Sequence, residues 1–258
     1  MGYAGFDLTG RAAVVLGGTS GLGRVMALAL AEAGADVAPA SRRAAAVEAA
    51  AAEIEARGRR SLRAVADVTD RSSLERLRAA AERAFGAVDV LINCAGITRR
   101  QPTLEVAEDD WRAILEVNVT GTLRACQVFA PPMLERGWGR IVNVASIASF
   151  AGLYEVAAYT ASKAAVAGLT RALAVEWGKR GVNVNAIAPG VFPTDLNRRL
   201  LDGTERGREF LARTPLGRFG RPEELGGAAV FLASEAASFV CGEILVVDGG
   251  LLASGVNR

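Results

Sequence analysis

Short runs of consecutive apolar residues, many of them β-branched, alternate along the chain with longer stretches in which apolar positions return every third or fourth residue. The first pattern suits a strand buried on both faces, and the second suits an amphipathic helix. Strands are predicted over 12–16, 36–40, 61–65, 88–93, 140–144, 182–188 and 244–247, with helices near 21–33, 44–57, 72–85, 108–134, 157–179 and 222–234. Strand followed by helix, repeated throughout, is the order of a parallel sheet covered on both faces. Right-handed crossovers make it a doubly wound α/β fold of the Rossmann type with about seven strands, whose ligand crevice lies at the carboxyl ends of the strands. One interval, 192–220, rich in Pro, Gly, Thr and Arg, breaks the alternation. It reads as a substrate lid, with a plain surface insertion as the alternative. The rest fits a single α/β domain over 1–258.

Composition narrows the chemistry. The chain has 258 residues, 51% of them hydrophobic, enough for one large core. Thirty basic against 28 acidic side chains leave a charge of +2 without blocks, so neither a nucleic acid nor a membrane is expected as partner, and a small molecule is. Histidine is absent, which removes histidine-based triads and the commonest metal ligand, and no metal is expected. Cys94, Cys126 and Cys241 are too scattered for a disulfide framework or a zinc cage, which fits a reducing cytoplasm. No apolar run reaches the ~18 residues of a membrane span, and Met1 to Gly10 carries no targeting pattern.

The first predicted strand runs into Gly17-Gly18-Thr19-Ser20-Gly21-Leu22-Gly23, and a helix begins at once. Glycines allow the tight turn and let backbone N–H groups approach a pyrophosphate at the helix N-terminus. The second strand ends in Ser41-Arg42-Arg43, where an NAD-binding fold places a carboxylate. Arg42 can pair with a 2′-phosphate and Ser41 can add a hydroxyl, so NADP(H) is preferred over NAD(H); otherwise the arginines merely open a solvated helix. Asp67, followed by Val68 after the third strand, is placed to accept from an adenine amino group, or to cap the next loop.

With no histidine, a tyrosine has to carry any proton transfer near neutrality. Tyr159 and Lys163 lie one helical turn apart on a shared face, so the ammonium can favour the ionised phenol. An ordinary tyrosine titrates near ~10, and moving it to neutrality takes roughly 4 kcal/mol.

Taken in order, the glycine loop, Asn93-Cys94-Ala95-Gly96, Asn118, Ser146, the Tyr159/Lys163 pair and Pro189-Gly190 resemble the short-chain dehydrogenase/reductase family, from Leu8 to Gly250. The resemblance implies that Tyr159 is the general acid/base, that Lys163 lowers its pKa and holds the nicotinamide ribose, and that Ser146 holds the substrate oxygen. It also implies that Asn118 interrupts its helix and anchors a proton-relaying water, against the alternative of a buried asparagine satisfied by backbone. Asn93, Ala95 and Gly96 correspond to the segment beside the adenosine ribose, with Val191 and Thr194 after Pro189-Gly190 at the carboxamide. The family has asparagine where this chain has Cys94, and usually threonine where it has Leu16. A homotetramer is implied as well.

Arg99 and Arg100 follow at the rim of the expected cleft, where paired guanidinium groups suit a carboxylate; the alternative pairs one of them with Glu105 or Glu108. The run from Ala95 to Arg100 resembles the gluconate 5-dehydrogenases and related sugar-acid dehydrogenases, as does 147–154 more loosely. A secondary alcohol/ketone oxidoreductase acting on a sugar acid or polyhydroxylated ketone is therefore expected, with Tyr154 among the substrate contacts and Asn197, Arg198 and Arg199 adding polar groups from the lid. Phe150, Leu153, Tyr154 and Phe192 as an apolar wall keep a 3-oxoacyl thioester reductase or a broad carbonyl reductase open. A non-catalytic dinucleotide-binding protein is the third alternative.

Overall fold

The computed structural model describes residues 3–194 and 197–255, so 195 and 196 of the expected lid and the termini of the expected domain lie outside the described residues. Strands β1 (Ala12–Leu16), β2 (Asp36–Ala40), β3 (Val90–Asn93), β4 (Gly139–Val144), β5 (Val182–Pro189) and β6 (Ile244–Val247) form one parallel sheet in the order 2-1-3-4-5-6. β1 pairs with β2 on one side and β3 on the other, so the strand order reverses there and a crevice opens at the carboxyl ends.

The helices are α1 (Gly21–Glu32), α2 (Ala44–Glu55), α3 (Arg71–Phe85), α4 (Glu108–Leu115), α5 (Gly121–Arg136), α6 (Ala157–Trp177), α7 (Arg198–Leu201), α8 (Glu205–Arg213) and α9 (Gly226–Ala233). Alternate strand residues explain why the apolar runs are continuous. Ala13, Val15, Val37, Ile92 and Val142 pack toward α1 and α9, while Val14, Leu16, Ala38, Leu91 and Ile141 pack toward α3, α5 and α6. Both faces are buried, so neither can be polar.

The strand predicted over 61–65 is absent; only Ser61 bridges Val37. Proline explains it. The Val37 N–H faces outward to the Arg60 carbonyl at 3.1 Å, so the residue two further on faces the same edge, and that residue is Pro39, which has no N–H to give. A single bond from Ala66 N to Ser41 O at 3.0 Å rejoins the chain beyond the gap.

The helix predicted over 108–134 is broken by one π turn, Glu116–Thr120, between α4 and α5. That turn carries Asn118 into the interior, where it is 1% exposed. The interval 192–220 holds α7 and α8 rather than irregular chain alone. Its base is closed by Gly220 N on Val191 O at 3.0 Å, and Leu216 N reaches Gly249 O at 3.2 Å.

Candidate active site

Four polar side chains are delivered to one wall of the crevice by three neighbouring elements. Ser146 follows β4 and caps a single turn, Ile147–Ser149, by accepting from Ala148 N at 3.1 Å. That turn is tied to α6 by Ser149 Oγ, which donates to the Lys163 carbonyl at 2.7 Å. Tyr159 stands in the first turn of α6 and Lys163 one turn on, its ammonium 5.7 Å from the phenol ring centre.

The expected electrostatics need correcting. Lys163 Nζ donates to the Val144 carbonyl at 2.6 Å, and burial brings its pKa down to about 8. The Tyr159 phenol moves up from its ordinary value, because burial outweighs the hydrogen bond with Ser146 that pulls it down. Lys163, expected from the sequence to lower the phenol, is not among the groups that shift it here; its ammonium is turned to Val144 O. The arrangement is a neutral phenol in reach of a serine hydroxyl, with a desolvated cation beside it.

Asn118 uses its whole amide on protein partners. Nδ2 donates to Ile97 O at 3.0 Å and to Ser162 Oγ at 2.9 Å, while Oδ1 accepts from Ile97 N at 2.8 Å. Ser162 Oγ in turn donates to the Tyr159 carbonyl at 2.7 Å. The asparagine side chain is thus satisfied by its surroundings, and it joins the loop after β3 to the turn that carries Tyr159. Ser162 was invisible as a site residue in the sequence; its place between Tyr159 and Lys163 on the helix was the available signal.

The glycine loop is built for close approach. Gly17 has φ +78°, and a Cβ there would lie 2.8 Å from Ala95 N; one at Gly23 would lie 2.2 Å from Gly17 O. Gly21 opens α1, with the Thr194 methyl 3.7 Å from its own Cβ position, so the residues expected at the pyrophosphate and at the carboxamide are neighbours here. Ser20, the N-cap, makes no side-chain bond to the first turn, which leaves those N–H groups without a side-chain acceptor. Thr19 is buried and Leu22 packs on the core. At the end of β3, Asn93 Nδ2 bonds Asn143 Oδ1 at 2.8 Å while its own buried Oδ1 has no partner. An uncapped helix N-terminus, a cradle any Cβ would fill and an orphaned acceptor fit a dinucleotide with its pyrophosphate on α1.

Around that cradle the other expected contacts fall out unequally. Gly96 stands close to Asn118 Oδ1 and Lys163 Nζ, 3.3 and 3.7 Å from its Cβ position. Arg42 and Arg43 are exposed at the end of β2, and among the described residues no carboxylate pairs with either. Ser41 Oγ accepts from Arg43 N at 3.3 Å. Asp67 Oδ1 holds Thr69 through its N–H and its hydroxyl at 2.9 and 2.8 Å, so this carboxylate caps its own loop, as the alternative had it. Val68 packs against Gly121, and its carbonyl accepts from Arg124 at 2.5 Å. Pro189 ends β5, Gly190 N bonds Val247 O at 2.9 Å, and Thr194 N donates to Asn197 Oδ1 at 2.7 Å. Asn197 therefore shapes the turn rather than adding a free polar group. Cys94 is packed beneath Gly23, its thiol pushed up to about 11 by burial.

On the substrate side, Arg99 pairs with Asp110 at 2.5 Å and Arg100 with Glu155 at 2.8 Å, neither with Glu105 or Glu108. Tyr154 is 74% exposed. Phe192 is buried against Gly220 and so does not line an apolar wall, although Phe150 remains half exposed.

With this geometry in place, the likenesses to known proteins are informative. A family model described as enoyl-(acyl carrier protein) reductase, adh_short_C2, matches residues 17–252. Gluconate 5-dehydrogenase of Gluconobacter oxydans is 43% identical over 249 residues, covering 96% of this chain and 97% of that protein. D-threitol dehydrogenase of Mycolicibacterium smegmatis is 42% identical, covering 95% and 94%. Among solved structures, a gluconate 5-dehydrogenase from Burkholderia cenocepacia in complex with NADP and tartrate superposes with a TM-score of 0.93 at 39% identity, covering 97% of this chain and 98% of that one.

Proposed function

The chain belongs to the short-chain dehydrogenase/reductase family, and from that premise we propose that it interconverts a secondary alcohol and a ketone on a sugar acid, using NADP(H) in preference to NAD(H). The observation that carries the reading is the convergence of Ser146, Tyr159, Lys163 and Asn118 beside a glycine cradle on one crevice.

Bound NADP(H) supplies or accepts the hydride. Gly17, Gly21 and Gly23 with the first turn of α1 would hold its pyrophosphate, Asn93 would lie beside the adenosine ribose, and the Pro189–Thr194 segment would meet the carboxamide. Tyr159 gives a proton to the substrate oxygen in ketone reduction and takes it back in alcohol oxidation. Ser146 holds the same oxygen and steadies its charge. Lys163, cationic below about pH 8, would hold the nicotinamide ribose and keeps a positive charge beside the phenol. Asn118 acts by position, fixing Ile97 and Ser162 on either side.

Arg42, unpaired at the end of β2, supports the preference for a 2′-phosphate. The sugar-acid assignment draws on the gluconate 5-dehydrogenase relatives, one of which holds NADP with tartrate, a hydroxy acid. The whole chain acts as one dinucleotide-binding domain with 192–220 as its lid. A homotetramer belongs to the same reading: Trp111 on α4 and Val175 on α6 are 38% and 84% exposed, apolar positions that a second subunit would cover. No helix among the described residues is long and apolar enough to cross a membrane, and the cysteines are unpaired.

The test is steady-state turnover of the purified protein with NADP+ and with NAD+ on gluconate, neutral polyols and simple alcohols, and in reverse on ketones and 3-oxoacyl thioesters. Gluconate oxidation with NADP+ as the better cofactor is expected. Tight dinucleotide binding with no turnover on any of them refutes the enzyme reading, and turnover confined to thioesters refutes the substrate.

A further inference from the structure

Three segments far apart in sequence meet at Tyr154 and Glu155, at the mouth of the site. Glu155 has φ +60°, the only positive φ outside glycine among the described residues, and it lies just ahead of the helix that carries Tyr159. A glutamate persists in that conformation only where its surroundings hold it. Gln101 N donates to its carbonyl at 2.8 Å, and Arg100 Nη2 meets its carboxylate at 2.8 Å. The third segment is α8 of the 192–220 interval: Arg206 Nη1 donates to the Tyr154 carbonyl at 3.2 Å, with its guanidinium carbon 5.3 Å from the centre of the Phe210 ring. Burial first, and then the charge of Arg100, lower the pKa of the Arg206 cation, and Glu155 and Glu209 oppose them. Arg100 thus takes that carboxylate, while Arg206 has no carboxylate within 4.0 Å among the described residues, in a rim that already joins the loop after β3, the approach to α6 and the 192–220 interval.

We propose that Arg206 is a specificity residue: together with Arg100 it takes the carboxylate of the sugar-acid substrate, and Glu155 is the internal carboxylate with which that anion competes. The proposal rests on the alcohol/ketone reading of the same site and adds to it where the acid end lies and which group of the lid recognises it. Glu155 answers Arg100 and Glu209 answers Arg213, which leaves Arg206 as an excess positive charge without an ion-pair partner among the described residues; an incoming carboxylate neutralises it, and a guanidinium presents the planar pair of N–H groups that a carboxylate fits. A neutral polyol offers nothing to that excess. Glu155 orders Arg100 and leaves the charge of Arg206 unbalanced, so an acid is selected over a polyol by what remains.

The experiment compares kcat/KM for gluconate with that for the neutral polyol of equal chain length, in the wild type, in Arg206→Gln and in Glu155→Gln. It is paired with calorimetric titration of gluconate into each protein saturated with NADP+. A hydrogen bond to a charged group lost at a partly buried site corresponds to roughly a 10- to 100-fold effect. The gluconate-to-polyol ratio should fall by that factor in Arg206→Gln, with gluconate affinity falling in parallel, and should rise several-fold in Glu155→Gln. Opposite signs from two neighbouring substitutions cannot come from a loosened lid. Losses of the same proportion for acid and polyol in Arg206→Gln overturn the proposal, as does a wild type that oxidises the polyol but binds no gluconate; the alcohol/ketone reading survives both. A wild type inactive on every alcohol and ketone removes that reading and this one together.

Discussion

Replacing Lys163 with methionine should stabilise the folded chain at neutral pH while destroying its activity. The ammonium is buried, 5% exposed, and its pKa falls from the ordinary 10.5 to about 8, chiefly through burial. At ~1.36 kcal/mol per unit, that gap is a penalty of roughly 3 kcal/mol on the charged form. Because the folded pKa lies below the unfolded one, both states hold the proton below about pH 8 and the folded chain carries the whole penalty. Between about 8 and 10.5 the folded state releases its proton first, the unfolded state binds more, and stability rises with pH. Methionine removes both the penalty and its pH dependence, at the loss of the bond to Val144 O, roughly 1–2 kcal/mol. The net gain at neutral pH is about 1–2 kcal/mol, or about 3–6 °C in Tm for a chain of this size. Thermal unfolding of both proteins from about pH 6 to just below the tyrosine range should show the variant's advantage shrinking by about 2–3 kcal/mol and reversing. A difference that stays flat across that range refutes the claim that a desolvated cation sits at the centre of the site.

Tyr159→Phe should abolish turnover and leave the NADPH dissociation constant within about twofold, since only the proton carrier is removed; retained turnover contradicts the assignment. Arg42→Asp should raise the dissociation constant for NADPH at least about tenfold more than that for NADH, measured by fluorescence titration, and equal losses would mean that the side chain does not meet the 2′-phosphate. Pro39→Val supplies the missing N–H on the open edge of β2, so hydrogen exchange at 62–65 should slow and stability rise by about 1 kcal/mol; unchanged exchange means that something other than proline keeps this segment from pairing.

Most of the scaffold was legible because its causes are local. Apolar runs buried on two faces, glycines where a Cβ cannot fit and a proline at 39 are written in single residues, and even the missing strand at 61–65 could have been foreseen by counting which edge the Pro39 nitrogen faces. Six strands formed where they were expected, and Asn118 does interrupt its helix, through a π turn that no periodicity announces. The substrate side was less legible. Arg99 and Arg100 stood out as a pair, yet their partners, Asp110 and Glu155, are set by how separate loops close on one another. Glu155 carries no mark in the sequence of its left-handed backbone, and Arg206 is one arginine among many until α8 places it over Tyr154.

The same distinction governs the catalytic turn itself. Helix α6 begins at Ala157 with Val156 in the N-cap position, a residue with no side-chain acceptor, so nothing local fixes the first turn on which Tyr159 sits. The turn is held from outside instead: Ile97 on Asn118, Asn118 on Ser162, Ser162 on the Tyr159 carbonyl, with Ser149 bonded to the Lys163 carbonyl from the other side. Each of these bonds is individually modest, roughly 1 kcal/mol net. Together they make the position of the phenol depend on the loop after β3, which Gly96 brings against Lys163 and Asn118. Asn118 thus stands as the beam between the loop after β3 and the turn that carries Tyr159. A weak helix start is tolerated at Tyr159 because its support comes through the tertiary fold.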